Sequence, residues 1–183
     1  LKELNIHACK LLDTLEDLQS FSGLRYVDKS GCPGLTKRLL SQGYELCAGL
    51  ERLRTDDYSF LTTSSSKWLT SLQRLELHEF PGEVLTDEQW RALQHLTSLQ
   101  ELRFESHHDL TYLPVDLHNM TSLKRLEISF CPNISRLPEK GLPPSLEQLE
   151  IGYCCSEELI DECRKLASRS SKPRVRIDDE YVN

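Results

Sequence analysis

The sequence predicts an α/β solenoid. A parallel β-sheet lines its concave face, irregular loops and short helices form its convex face, and a helix caps its C-terminal end. Three observations predict it. One nine-residue pattern returns seven times along the 183 residues. Within each copy, leucine-type residues alternate with polar ones, the period of a strand buried on one face. Thirty-four residues are leucine, spread in short runs, and no run approaches the ~18 apolar residues that span a bilayer.

The pattern is L-x-x-L-x-L-x-x-C, with some loosening. Its copies are LKELNIHAC, LRYVDKSGC, LERLRTDDY, LQRLELHEF, LQELRFESH, LKRLEISFC and LEQLEIGYC, starting at Leu1, Leu24, Leu50, Leu72, Leu99, Leu123 and Leu146. The starts are 22 to 27 residues apart, inside the 20–29 period of leucine-rich repeats. A single short strand cannot bury its leucines alone; stacking the copies buries them as continuous columns. Residues 1–155 therefore read as seven leucine-rich repeats and 156–183 as a cap.

Leu4, Val27, Leu53, Leu75, Leu102, Leu126 and Leu149 form one inward column. Ile6, Leu77, Phe104, Ile128 and Ile151 form most of the next, and Lys29 and Thr55 interrupt it, so the second and third repeats should pack less well there. The ninth position holds Cys9, Cys32, Tyr58, Phe80, His107, Cys131 and Cys154. No asparagine stands there, which excludes an asparagine ladder. Cysteine fills such a corner as a small buried hydrophobe, so Cys9, Cys131 and Cys154 should be buried, with Cys154 and Cys155 diverging.

The connecting segments are mostly irregular. Leu110, Leu113 and Pro114, like Ile134, Leu137 and Pro138, put an apolar pair and a proline on the convex side. Thr86-Asp87-Glu88-Gln89 has the form of a capping box before Trp90, Leu93 and Leu96, which predicts a helix over 87–95. The stretch Leu61–Lys67 is polar and reads as a mobile loop. Ser156, Glu157 and Glu158 open a predicted helix over 157–168, with Leu159, Ile160, Cys163 and Leu166 apolar. Arg174-Val175-Arg176-Ile177 alternates like a strand behind Pro173. Leu1-Lys2-Glu3 begins inside the pattern, with neither an initiator Met nor a signal peptide. The chain therefore reads as a fragment whose preceding repeats have been cut away, leaving the first rung an open edge.

Composition narrows the function classes. With 22 Lys and Arg against 29 Asp and Glu, the formal charge is −7, which argues against a nucleic-acid partner. Seven cysteines, with no C-x-x-C pair, suit reduced thiols better than a disulfide scaffold or a zinc site. No G-x-S-x-G, H-E-x-x-H or glycine-rich phosphate loop appears. The one His/acid cluster, His107-His108-Asp109, falls in a turn and reads as an exposed loop. The expectation is a chain without catalysis, metal or cofactor.

The polar strand positions supply the candidate protein-binding residues. Arg52, Arg74 and Arg125 come early in the strand, with Lys124 beside them. Arg54, Glu76, Arg103 and Glu127 stand at its centre, alternating in sign, and Asp56, Asp57, Glu79 and Glu105 come late. One lip should be basic and the other acidic. With strands ~4.8 Å apart, the central charges can pair across rungs. Such pairs either solvate the sheet, at about 1 kcal/mol each at most, or greet a partner. Phe130 and Tyr153 fall at the same outward position of adjacent rungs, and aromatics are enriched at binding hot spots. They either form part of the binding surface or pack beneath a loop or the cap.

LTDEQWRALQHLTSLQEL, LHNMTSLKRLEISFCPNISRLPEKGLPPSLEQLEIGYC and the ending SSKPRVRID resemble the C-terminal leucine-rich repeats of plant intracellular immune receptors. The resemblance is to the coiled-coil, nucleotide-binding, leucine-rich-repeat class of cereals, and it covers essentially the whole chain. Its most specific part is the C-P-x-[LI]-x-x-L-P run at Cys131-Pro132-Asn133-Ile134-Ser135-Arg136-Leu137-Pro138. The resemblance implies a protein partner: a pathogen or pest effector, a guarded host protein, or the receptor's own nucleotide-binding domain, which this region would restrain. It also implies a cytoplasmic location, with the nucleus as a second compartment, and an ADP or ATP site only in an upstream domain absent here. Asn119-Met120-Thr121 and Asn133-Ile134-Ser135 match a glycosylation sequon and keep an extracellular receptor fragment as an alternative. That alternative lacks the L-x-G-x-[IL]-P signature. A structural scaffold is a third reading.

Overall fold

A computed structural model describes residues 1–6, 23–31, 48–80 and 82–183. They fall into two compact units, Leu1–His78 with Thr86–Leu99, and Glu79–Leu85 with Gln100–Asn183.

Among the described residues, the first unit contains four strands, β1 (Glu3–Asn5), β2 (Tyr26–Lys29), β3 (Arg52–Thr55) and β4 (Arg74–His78). They pair in parallel and in the predicted register, Leu4↔Val27↔Leu53↔Leu75. Val27, Leu53 and Leu75 are buried and Leu4 half-buried. The second column also points inward, but Lys29 and Thr55 stand in it, both 0% exposed. Each is satisfied. Lys29 Nζ lies 3.7 Å from Asp57 Oδ2, and Thr55 Oγ1 accepts a 3.0 Å hydrogen bond from the Asp57 N–H.

Two α-helices described in full also belong to this unit. Residues 61–67 hold a helical turn, α1 (Thr63–Ser66), with Ser66 buried, where a polar loop was expected. α2 (Asp87–Gln94) has the capping box read from its sequence. Thr86 Oγ1 accepts from the Gln89 N–H and Gln89 Oε1 accepts from the Thr86 N–H, satisfying donors that a helix start leaves orphaned. Trp90, Leu93 and Leu96 are buried.

The second unit contains β5 (Glu101–Glu105), β6 (Arg125–Ser129), β7 (Gln148–Ile151), β8 (Arg174–Ile177) and β9 (Glu180–Tyr181), with α3 (Glu157–Arg169) between β7 and β8. Both inward columns run through it, Leu102↔Leu126↔Leu149↔Val175 and Phe104↔Ile128↔Ile151↔Ile177. β8 therefore continues the parallel stack beyond the seventh repeat, and β9 folds back antiparallel to it. Ser156 caps α3 by accepting from the Leu159 N–H. Leu159, Cys163 and Ala167 are its buried face, with Ile160 and Leu166 half-buried. The Asn183 side chain clamps the end: its Oδ1 accepts from the Val175 N–H and its Nδ2 donates to Ser170 O and Pro173 O.

The turn after the strand corrects two expectations. The eighth residue of the repeat takes a left-handed backbone at Glu79 (φ 48°), Ser106 (φ 60°) and Phe130 (φ 54°), so the ninth can turn inward as Phe80, His107 and Cys131. In the last repeat the left-handed residue is Cys154 itself (φ 58°), one place later. Cys154 is consequently exposed, and Cys155 takes the inner place. Its Sγ lies 3.5 Å from Ile128 O, as Cys131 Sγ lies 3.8 Å from Phe104 O one rung earlier. His107 is likewise fully buried rather than in an exposed loop. It accepts the Phe80 N–H at Nδ1 (2.9 Å) and packs edge-on against Phe104. It serves the neighbouring turn as an asparagine does in a ladder. Cys9 and Cys32 lie outside the described residues.

Candidate protein-binding face

The alternation that buries leucine on one face of each strand places charge on the other, and the structure shows where those charges go. In the first unit, Arg54 is the hub. Its Nε donates to His78 Nε2 (2.8 Å), and its guanidinium lies 3.5 Å from Asp28 and 3.8 Å from Glu76. Arg74 Nε donates to Glu76 (2.7 Å). Arg52 lies over the Tyr26 ring at 4.8 Å and 3.4 Å from Glu3. Burial, then the charge of Asp28, raises the Tyr26 pKa. Asp56 turns half inward, its carboxylate accepting the Gly31 N–H at 2.7 Å. Asp57 leaves the outward set altogether: it is buried against Lys29 and caps the turn Tyr58–Phe60 by accepting from the Ser59 N–H. The charge of Lys29 in an apolar column demands that partner.

In the second unit the pairing is continuous. Arg103 lies 3.2 Å from both Glu105 and Glu127, and Arg125 3.6 Å from Glu127. Arg125 also donates to Glu150 (2.7 Å), and Arg176 bridges Glu150 (3.6 Å) and Asp179 (2.5 Å). Burial pulls the Arg125 pKa down, but the bond and charge of Glu150, with Glu127 and Glu101, outweigh it and raise it. Glu79 is exposed. The early arginines do not stand alone: Arg74 meets a carboxylate on its own strand, Arg125 on its own and the next, and Arg52 two strands away.

Phe130 and Tyr153 are exposed, 38% and 52%, with ring centroids 6.3 Å apart and planes tilted by 34°. They are neighbours but not equivalents. The Phe130 N–H donates to Tyr153 O (2.8 Å), whereas the Ser106 N–H donates to Ser129 O, so Tyr153 stands one place earlier in the turn. Gly152 makes room for that shift. A Cβ there would overlap Ser129 Oγ and lie 3.0 Å from its Cβ. The Tyr153 hydroxyl donates to Asp179 (2.8 Å), and that bond, then the charge of Asp179, raises its pKa. Both rings border a hollow of about 280 Å³ whose other walls include Arg103, Glu127, Glu150 and Arg176.

Sequence reasoning missed three participants. Asp28 and His78, both buried, hold Arg54, and Asp179 holds Tyr153 and Arg176. The first two sit on the strands themselves, Asp28 in register with Arg54, and neither was named among the outward residues. Asp179 follows the last strand read from the pattern, and only the return of β9 brings it to the face. A serine before the leading leucine was also unread: Ser98 and Ser145 donate to Thr70 O and Leu123 O of the preceding repeat. Its recurrence at Ser71, Ser98, Ser122 and Ser145 was the available signal.

Parallel strands one repeat apart, leucine columns in register and an inward ninth residue define a leucine-rich-repeat protein. An internalin (InlF) of Listeria monocytogenes has this fold, with a TM-score of 0.51 at 16% identity over 98% of this chain and 56% of that one. In sequence the chain is similar to three disease-resistance proteins of Arabidopsis thaliana. It is 26% identical to RPP4 over 74% of its length, 26% to RPS4B over 85%, and 25% to RPP5 over 77%. It spans only 11% to 16% of the length of these relatives. No protein-family model matches the chain. Among the described residues, no helix is long and apolar enough to cross a membrane.

Proposed function

We propose that this chain is the protein-binding module of a plant immune receptor of the nucleotide-binding, leucine-rich-repeat class. It recognises a pathogen or pest effector, directly or through a guarded host protein, and restrains the receptor's nucleotide-binding domain until it does. It is a cytoplasmic, non-catalytic module of a cereal-type receptor, and ADP or ATP binds elsewhere in that receptor. The similarity to disease-resistance proteins supports the class. The observation that carries the binding role is the exposed pair Phe130 and Tyr153. On a face whose arginines lie against carboxylates, these two adjacent rings offer apolar area to a partner, and truncating such anchors typically costs more than 1 kcal/mol.

The test is made in leaf tissue, in the receptor that carries this chain. Phe130→Ala with Tyr153→Ala should abolish the response to the cognate pathogen at unchanged protein level. Arg74→Glu and Arg103→Glu should release restraint and give cell death without a pathogen. A full pathogen response in the aromatic double variant would move the binding site elsewhere. Silence of both charge variants without a pathogen would remove the restraining role.

A further inference from the structure

We propose that the hollow beside Phe130 and Tyr153 receives a basic side chain, an arginine or lysine of the protein partner. This rests on the protein-binding reading above and names the chemistry of the residue inserted.

The walls favour a long side chain with an apolar stem. Two exposed rings stand 6.3 Å apart beside a space of about 280 Å³, just below the range of small-molecule sites and enough for one side chain. The sign of the charge follows from the floor and the rim. Arg103, Arg125 and Arg176 are matched by Glu127, Glu150 and Asp179 at 2.5 to 3.6 Å. Glu105 also lies on Arg103, and Asp178 stands exposed beside Asp179, close enough for its charge to act on Tyr153. The surplus is therefore negative. An incoming carboxylate would compete for arginines already paired, while an incoming cation meets unspent charge.

The rings themselves point the same way. This protein places its own arginine on tyrosine twice, Arg52 at 4.8 Å over Tyr26 and Arg174 at 4.3 Å over Tyr181. Tyr153 instead neighbours Phe130, and its hydroxyl donates to Asp179. That bond draws electron density toward the ring, which strengthens attraction for a cation above it. The turn carrying the acids is held at a conformational cost. Asp178 (φ 44°) and Asp179 (φ 73°) occupy both left-handed positions of a two-residue hairpin loop, where Asn-Gly is the relaxed choice. Carboxylates stand where glycine would be easier.

The experiment titrates the 183-residue chain with acetyl-Gly-Arg-Gly-amide and with its Lys, Glu and Leu counterparts, following the Phe130 and Tyr153 ring resonances by ¹³C NMR. The Arg and Lys peptides should shift both rings saturably and the Glu and Leu peptides should not. Asp178→Asn with Asp179→Asn keeps the turn, because asparagine tolerates the left-handed region, and should weaken Arg-peptide binding about threefold to fivefold. Tyr153→Leu, followed on Phe130, should weaken it about as much. Equal binding of the Glu or Leu peptide, or undiminished Arg binding in both variants, overturns the proposal. If the basic peptide fails while Phe130→Ala with Tyr153→Ala still abolishes the receptor's response, the cation assignment falls and the protein-binding reading stands. If the peptide binds as proposed and the receptor variant responds fully, the reverse holds.

Discussion

Lys29 and Asp57 form an ion pair inside the leucine columns, Nζ to Oδ2 3.7 Å, with side chains 0% and 8% exposed. Lys29 stands where the repeat calls for a leucine, and Asp57 leaves the outward face to meet it. Breaking such a pair leaves a buried charge uncompensated, at about 3–5 kcal/mol. Asp57→Ala should lower the urea-unfolding free energy by about that much. Lys29→Leu with Asp57→Asn removes both charges and keeps a capping side chain, and should lie within about 1 kcal/mol of wild type. Equal losses in both variants would show that the pair's charges are not what matters.

His107 accepts the Phe80 N–H at Nδ1, 2.9 Å, in full burial. His107→Ala removes the acceptor and leaves that N–H orphaned, at about 1–3 kcal/mol beyond the lost packing. His107→Asn supplies an oxygen acceptor at a similar reach and should recover part of the loss. Hydrogen exchange at the Phe80 amide reads the effect directly: fast in the alanine variant, slower in the asparagine variant.

Gly152 is required by the approach of Ser129. Gly152→Ala drives its Cβ into Ser129 Oγ, and overpacking of this kind costs about 1–3 kcal/mol. Adding Ser129→Gly should restore most of the thermal stability. Failure of that rescue would place the strain in the backbone of the last turn instead.

Burial pushes the thiols of Cys131 and Cys163 up to about 12 from an ordinary 9.0. A raised pKa means the folded state holds the proton longer than the unfolded state. The stability this contributes is whole below pH 9.0 and is lost as the pH rises toward about 12. The denaturation midpoint should therefore fall across that window, and fall less in Cys163→Ala. Among the described cysteines, a thiol reagent at pH 8 should modify exposed Cys154 first and leave Cys131 and Cys163 protected.

Much of the fold was legible because it depends on spacing. The inward columns, the capping box at Thr86 and the helix after Ser156 follow from residues within one turn or one strand of each other, where periodicity and capping chemistry act. The candidate face was legible only in part. Arg54, Arg103, Arg125 and Glu127 are on it, and Phe130 and Tyr153 are exposed. Asp57 and Cys154 were misplaced for a shared reason: the repeat template was carried past the end of the strand, where the backbone had already turned. One left-handed residue, arriving one place later in the last repeat, moved Cys154 out and Cys155 in.

The sequence by itself determined the repeat, its register and which face of each strand is apolar, because a two-residue period admits one burial pattern. The register already allowed the pairs Arg54–Glu76 and Arg103–Glu127; the tertiary structure decided the other partners of the charges. Arg125 finds Glu150, and Tyr153 finds Asp179, across 25 and 26 residues. Those distances along the chain become hydrogen bonds only when successive strands stack side by side and β9 folds back beside β8.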